Sequence, residues 1–155
     1  MFCYYFLMKL QQIFLEMKNI PVGEFIENPY DLIETDFKIS TKILHILKTK
    51  NDSIFFTRLS LKHLSEKGDQ GEYIIHKIQD ILEKPDNIYL GNFSNRFLIS
   101  KQILFNTDKK DHIINIEITK NKGNIIVTGF IARKSYFKNL KLLWGTAPSP
   151  SQQLP

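Results

Sequence analysis

Five side chains in this sequence have the types that can handle a phosphodiester without a metal: His63, Lys101, Thr128, Arg133 and Tyr136. RNA carries its own nucleophile, the 2′-hydroxyl. A protein that cleaves it need only take one proton, give one to the leaving 5′-oxygen, and stabilise the extra charge of the phosphorane. Histidine, lysine or tyrosine can move the protons. Arginine, lysine and a hydroxyl can hold the phosphoryl oxygens. Thr128 lies inside the apolar run Ile125–Ala132, and a basic, aromatic segment, Arg133 to Lys141, follows it directly. Each residue also has a structural explanation. His63 can be a surface or capping residue of a short helix. Thr128 is a good strand former that can pack beside Ile126 and Phe130. Arg133 stands where exposed arginines are common, and Tyr136 can tie the chain end to the core. Lys101 shares a face with Phe97, Ile99 and Ile103, so it either snorkels or points into a cleft. Lys62 reads as solvated.

The absences narrow the chemistry. The sequence has no glycine-rich phosphate loop, no nucleophile elbow and no His/Cys cluster at metal-ligand spacing. Its four histidines, at 45, 63, 76 and 112, stand singly. The one cysteine, Cys3, excludes an internal disulfide and a cysteine-based zinc site, and fits a cytoplasmic protein. The expectation is chemistry with no cofactor and no metal.

Charge points to a polyanion. Net charge is +5, unevenly spread. Residues 1–87 hold 11 Lys/Arg against 13 Asp/Glu, a balance of −2, whereas residues 88–155 hold 10 against 3, a balance of +7. A lysine-rich proteome would make both halves basic; this asymmetry favours a nucleic-acid partner for the second half. The start, Met1 to Met8, is strongly apolar, but it lacks a basic n-region and a cleavage site and is too short to span a bilayer. It reads as a helix packing on the body, or as sequence upstream of a true start at Met8 or Met17. Anchoring of residues 1–15 on a membrane surface is a further class, weakened by a cationic rim of only Lys9 and Lys18.

Periodicity supplies the elements that must position these groups. A helix is expected over 2–18, a short helix over 41–48 capped by Ser40-Thr41, and a strand over 53–57. Residues 60–68 read as a short helix with Ser60 as N-cap and Gly68 as stop, and 72–84 as a longer one. The period then changes to two: strands are expected at 88–90, 96–104, 112–119 and 125–132, with turns at 91–95, 106–111 and 121–124. Residues 24–38 are ambiguous. The expected organisation is an N-terminal helical segment (1–48), a main domain (49–145) and a Pro/Ser/Gln-rich disordered tail (146–155). The fold class is α+β, with N-terminal helices packed on a four-stranded antiparallel β-meander.

That order resembles the phage-associated Barnase–EndoU–colicin–RelE-like (BECR) nuclease families. The resemblance rests on Ser60-Leu61-Lys62-His63 heading a short helix, on helix 72–84 closing at Pro85-Asp86, and on Ile126-Val127-Thr128-Gly129-Phe130 with its basic sequel. It covers roughly residues 50–144. It implies a metal-independent endoribonuclease of the toxin or phage-module type, with RNA as substrate and a neutralising antitoxin or immunity protein as a possible partner. Carried over by position, His63 would be the general acid or base. Arg133 and Lys101 would neutralise the phosphate, Thr128 would hydrogen-bond a phosphoryl oxygen, and Tyr136 would orient or stack the substrate. Relatives carry a second histidine near the end of the short helix; this chain has Lys67-Gly68 there. The alternative is a non-catalytic RNA-binding or protein-interaction module on the same fold, with aromatics stacking bases.

Overall fold

The computed structural model describes residues 4–146, with side chains from Met8 onward. Cys3 and residues 147–155, most of the expected tail, lie outside the described residues. Helix α1 (Tyr4–Lys18) buries Leu10, Phe14 and Met17, spaced so that they share one stripe. After it come β1 (Leu32–Glu34), α2 (Thr41–Leu47) and β2 (Ile54–Thr57). Next are α3 (Arg58–Ser65) and α4 (Asp69–Glu83). The chain continues through β3 (Asn87–Leu90), β4 (Arg96–Phe105), β5 (Asp108–Ile118) and β6 (Asn124–Ala132). A 3-10 turn, Lys134–Phe137, leads to β7 (Leu142–Gly145).

The class is α+β as expected, but the sheet is not a four-stranded antiparallel one. Among the described residues it has seven strands in the order β1-β2-β6-β5-β4-β3-β7, and it is mixed. β3 to β6 are successive antiparallel neighbours, and β7 adds antiparallel to β3. β2 pairs parallel with β6, and β1 pairs antiparallel with β2. The parallel pair is possible because a long connection through α3, α4 and three strands separates β2 from β6. β1, with three residues, is too short to show a period of two, and β7 is a further short strand that the expected meander lacks. From Leu10 onward the expected N-terminal segment shares the core of the remainder: Leu10, Phe14, Met17, Ile33, Ile43 and Leu47 belong to one cluster with Phe56, Ile78, Ile99 and Ile126.

Three local expectations are corrected. Thr57, not Ser60, caps α3: its side chain accepts from Ser60 N (3.0 Å), while Ser60 Oγ accepts from Thr57 N (2.8 Å), a reciprocal box. The helix ends at Ser65, and Gly68, at φ 62, is the entry to α4 rather than the stop of α3. The turn expected over 106–111 is far tighter, with β4 and β5 paired out to Phe105 and Asp108. Polar residues do not end a strand whose backbone has a partner.

Candidate nucleic-acid interface

All helix packing falls on one face of the sheet. Ile114 and Ile116 of β5 and Ile126 of β6 point into the main core. Gly129 points the same way: a Cβ there would lie 2.6 Å from Ile74 Cγ2 on α4. Strict alternation from Ile126 would turn Thr128 inward too. A register shift intervenes, since Ile116 pairs with Ile126 and Asn115 with Thr128, leaving Val127 as the extra residue of a bulge. One inserted residue flips everything after it. Thr128 and Phe130 therefore face away from the helices, beside Asn115 and Ile113.

The chain end covers part of this helix-free face. Phe137 stacks on Tyr89 (centroids 4.8 Å), and Tyr136 meets Phe130 edge-on at 5.1 Å. Tyr89, Leu98 and Ile113 form a second small core, against which Phe130, Phe137, Leu140 and Leu142 pack. Tyr136 remains 44% exposed. Cations accompany its ring partner and its chain neighbours. Lys67 Nζ lies 5.8 Å from the Phe130 ring centre, and Arg133 and Lys134 flank the start of the 3-10 turn. From Arg133 to Thr146 the chain holds four basic residues and no acidic one.

Polar groups continue across the face. Burial pushes the Asp111 carboxyl above its ordinary range, with Asp86 adding to the rise, while Lys134 and a hydrogen bond from Gln102 oppose it. Burial likewise raises the Tyr89 phenol. Asp86 Oδ2 accepts from Gln102 N at 2.7 Å. Toward the other end, Arg96 pairs with Glu117 at 3.4 Å. Asn115, opposite Thr128, has a buried Oδ1 with no partner among the described residues.

The five sequence candidates divide between the two sides of the sheet. Thr128 lies on the helix-free face, and Arg133 and Tyr136 lie where the chain turns onto it. His63 is exposed on α3, in the helical layer. Lys101 alternates with the core residue Ile99 and donates from Nζ to Lys84 O, 2.6 Å, at the end of α4. It serves as a cation on a helix C-terminus, favoured by the helix dipole. Lys62, expected in solvent, is only 4% exposed. Its ammonium donates to Met17 O (3.2 Å) and to Ile20 O, closing the end of α1, and pairs with Glu66 at 3.5 Å.

Sequence reading passed over Lys67, Lys134 and Asp111. The basic run after β6 was the available signal for Lys134. Lys67 showed only as the missing second histidine, and its closeness to Phe130 is a tertiary fact. Among the described residues no group of three His, Cys, Asp or Glu side chains could hold a metal, and no helix is long and apolar enough to cross a membrane. No family model, no curated protein and no solved structure matches the chain.

Proposed function

We propose that this chain binds single-stranded RNA across the helix-free face at the end of β6. The observation that carries the reading is the half-exposed Tyr136 ring set edge-on to Phe130, with Lys67 against that Phe130 and with Arg133 and Lys134 leading into the same turn. An exposed aromatic accepts a base by stacking, and the cations take the adjoining phosphates. The +7 balance of the second half supports the same partner. Fluorescence anisotropy with a labelled single-stranded RNA tests this. Tyr136→Ala should weaken binding by about 1–3 kcal/mol, on the scale of one stacked base. Lys67→Ala should reduce the salt dependence by about 0.7 in the log–log slope, one phosphate contact on a single strand. Absence of binding at low salt, or binding indifferent to both changes, would overturn the reading.

Cleavage of the bound strand by its 2′-hydroxyl is a second reading. It is favoured by Asp111, a carboxyl held toward its protonated form on the same face as Thr128 and beside Lys134. Asp111 would take the proton-transfer role first expected of His63, which stands in the helical layer. Incubation with total RNA in EDTA, for the wild type and for Asp111→Asn, separates binding from turnover. Fragments ending in a 2′,3′-cyclic phosphate that vanish in Asp111→Asn would favour cleavage. Intact RNA throughout would leave binding alone.

A further inference from the structure

The two edges of the sheet are opposite in charge and opposite in strand direction. Edge strand β1 is preceded by a loop that presents Phe25 (84% exposed) and Tyr30 (76% exposed) to solvent. Such aromatics are anchors of protein interfaces. Residues 19–37 contain five acidic side chains and no Lys or Arg. Glu24, Glu27, Asp31 and Glu34 are exposed, and none of these four makes an ion pair among the described residues. The nearby cation, Arg58, donates its Nε to the Glu27 carbonyl at 3.0 Å.

At the opposite edge, β7 carries cations. Lys138 and Lys141 are exposed just before it, and Lys42 lies 4.4 Å from the ring centre of Trp144. Trp144 helps line a half-open cleft of about 360 Å³ with Lys42, Ile43, Ile46, Lys84 and Pro85. That volume suffices for one aromatic side chain. Glu83 is the acidic residue in its wall. Cleft and aromatic loop lie on the same side of the sheet. Ile43 and Ile46 belong to or pack on the main core, and the loop is bonded to the start of α3 through Leu59 N to Pro29 O.

Strand direction completes the match. Followed through the pairings, β1 and β7 run in opposite directions. A second copy placed beside the first in the same orientation would therefore join the two edges antiparallel, the more favourable pairing. Among the described residues nothing pairs with the outer edge of either strand. We propose that copies of this chain associate head to tail, β1 of one against β7 of the next, with Phe25 or Tyr30 of the first entering the Trp144 cleft of the second. The contact is heterologous, so it extends into short chains rather than stopping at a dimer. With strands of only three and four residues it is weak and salt-sensitive.

Trp144 is the single tryptophan, so its emission reports the junction directly. Without any nucleic acid, sedimentation velocity at about 0.05 M salt should show mass rising with protein concentration, with a parallel shift of tryptophan emission. At about 1 M salt both should revert to the monomer's values. Charge reversal supplies the decisive comparison. The acidic-edge variant (Asp31→Lys with Glu34→Lys) and the basic-edge variant (Lys138→Glu with Lys141→Glu) should each stay monomeric. Their equimolar mixture should associate, since each then offers the edge the other lacks. If either reversal impairs folding by circular dichroism, Phe25→Ser with Tyr30→Ser, which touches neither charge nor core, should abolish the mass increase and the emission shift. A wild type that stays monomeric at every concentration in low salt would overturn the proposal. So would association that survives the basic-edge reversal. RNA binding is read separately, through Tyr136 and Lys67.

Discussion

Lysine 62 shows how far a residue's type can mislead about its surroundings. A lysine on a short helix invites the reading of a solvated charge, yet here it supplies the donor for two carbonyls at the end of α1. Lys62→Met keeps the apolar stem and removes the ammonium, so Ile20 O loses this donor while Met17 O keeps the bond from Ile20 N (3.2 Å). The expected cost is ~2–4 kcal/mol in chemical denaturation, from the loss of a buried charge-assisted network. His112 is the complementary case. It is fully buried on the helix side of β5, between Tyr73 (5.5 Å) and Phe105 (6.2 Å). Its Nδ1 donates to Lys110 O at 2.8 Å, while Nε2 is buried with no partner among the described residues. Burial pulls its pKa down, and Lys77 adds to this, against the Lys110 carbonyl. The unfolded chain therefore holds a proton that the folded chain refuses, so stability is full above the ordinary histidine pKa of about 6.5 and falls as pH drops below it. His112→Phe should flatten that acid limb in melting curves taken from pH 7 to pH 5. An unchanged slope would show that another group governs it.

Among the elements, the α3–α4 joint and the β6 bulge decide most. Gly71 opens α4 directly against α3: a Cβ there would lie 2.0 Å from Leu64 O, a backbone atom that cannot swing aside. Gly71→Ala should therefore destabilise the fold by ~2–3 kcal/mol, although alanine is the better helix former. The Thr57 cap should show a smaller loss in Thr57→Ala, ~1 kcal/mol, the usual cost of removing the side-chain acceptor of a helix N-terminal N–H. Both helices hold their places by contacts with the neighbouring element rather than by their own propensities. The bulge at Val127 has the larger functional consequence, since it alone puts Thr128 on the side of Tyr136 rather than in the core.

At the scale of the molecule, the sheet is a two-sided plate with one thick side and one thin side. The thick side is a continuous core under four helices; the thin side is a small aromatic cluster under the Lys134–Phe137 turn. Stability should follow that asymmetry. Native-state hydrogen exchange is expected to be slowest for β5 and the core half of β4, which have partners on both edges, and fastest for β1, a three-residue edge strand. Equal protection across the sheet would contradict this. The Arg133–Thr146 segment on the thin side holds four basic residues and no acidic one, which is the charge on which the proposed RNA binding rests. The acidic β1 edge lies at the far end of the plate from β7 and its lysines. Charge separation along the sheet is what makes a head-to-tail contact between copies attractive at low salt.

The sequence by itself determined the α+β class, the cores of α1, α2 and α4, and five of the strands, β2 to β6, because burial on one face imprints a period on an element. It also set the charge split, since composition does not depend on folding. Only the tertiary structure decided that β2 enters the sheet parallel to β6, since pairing across some seventy residues leaves no local trace. The same holds for the site. His63, Lys101, Thr128, Arg133 and Tyr136 were legible as chemical types, but which of them meet depends on the face each occupies. A single bulge residue turned Thr128 outward, while unbroken alternation kept Lys101 on the helix side, at the end of α4. Side-chain direction in a strand flips with every residue, so one unpaired residue, invisible in composition or spacing, decides which groups can share a ligand.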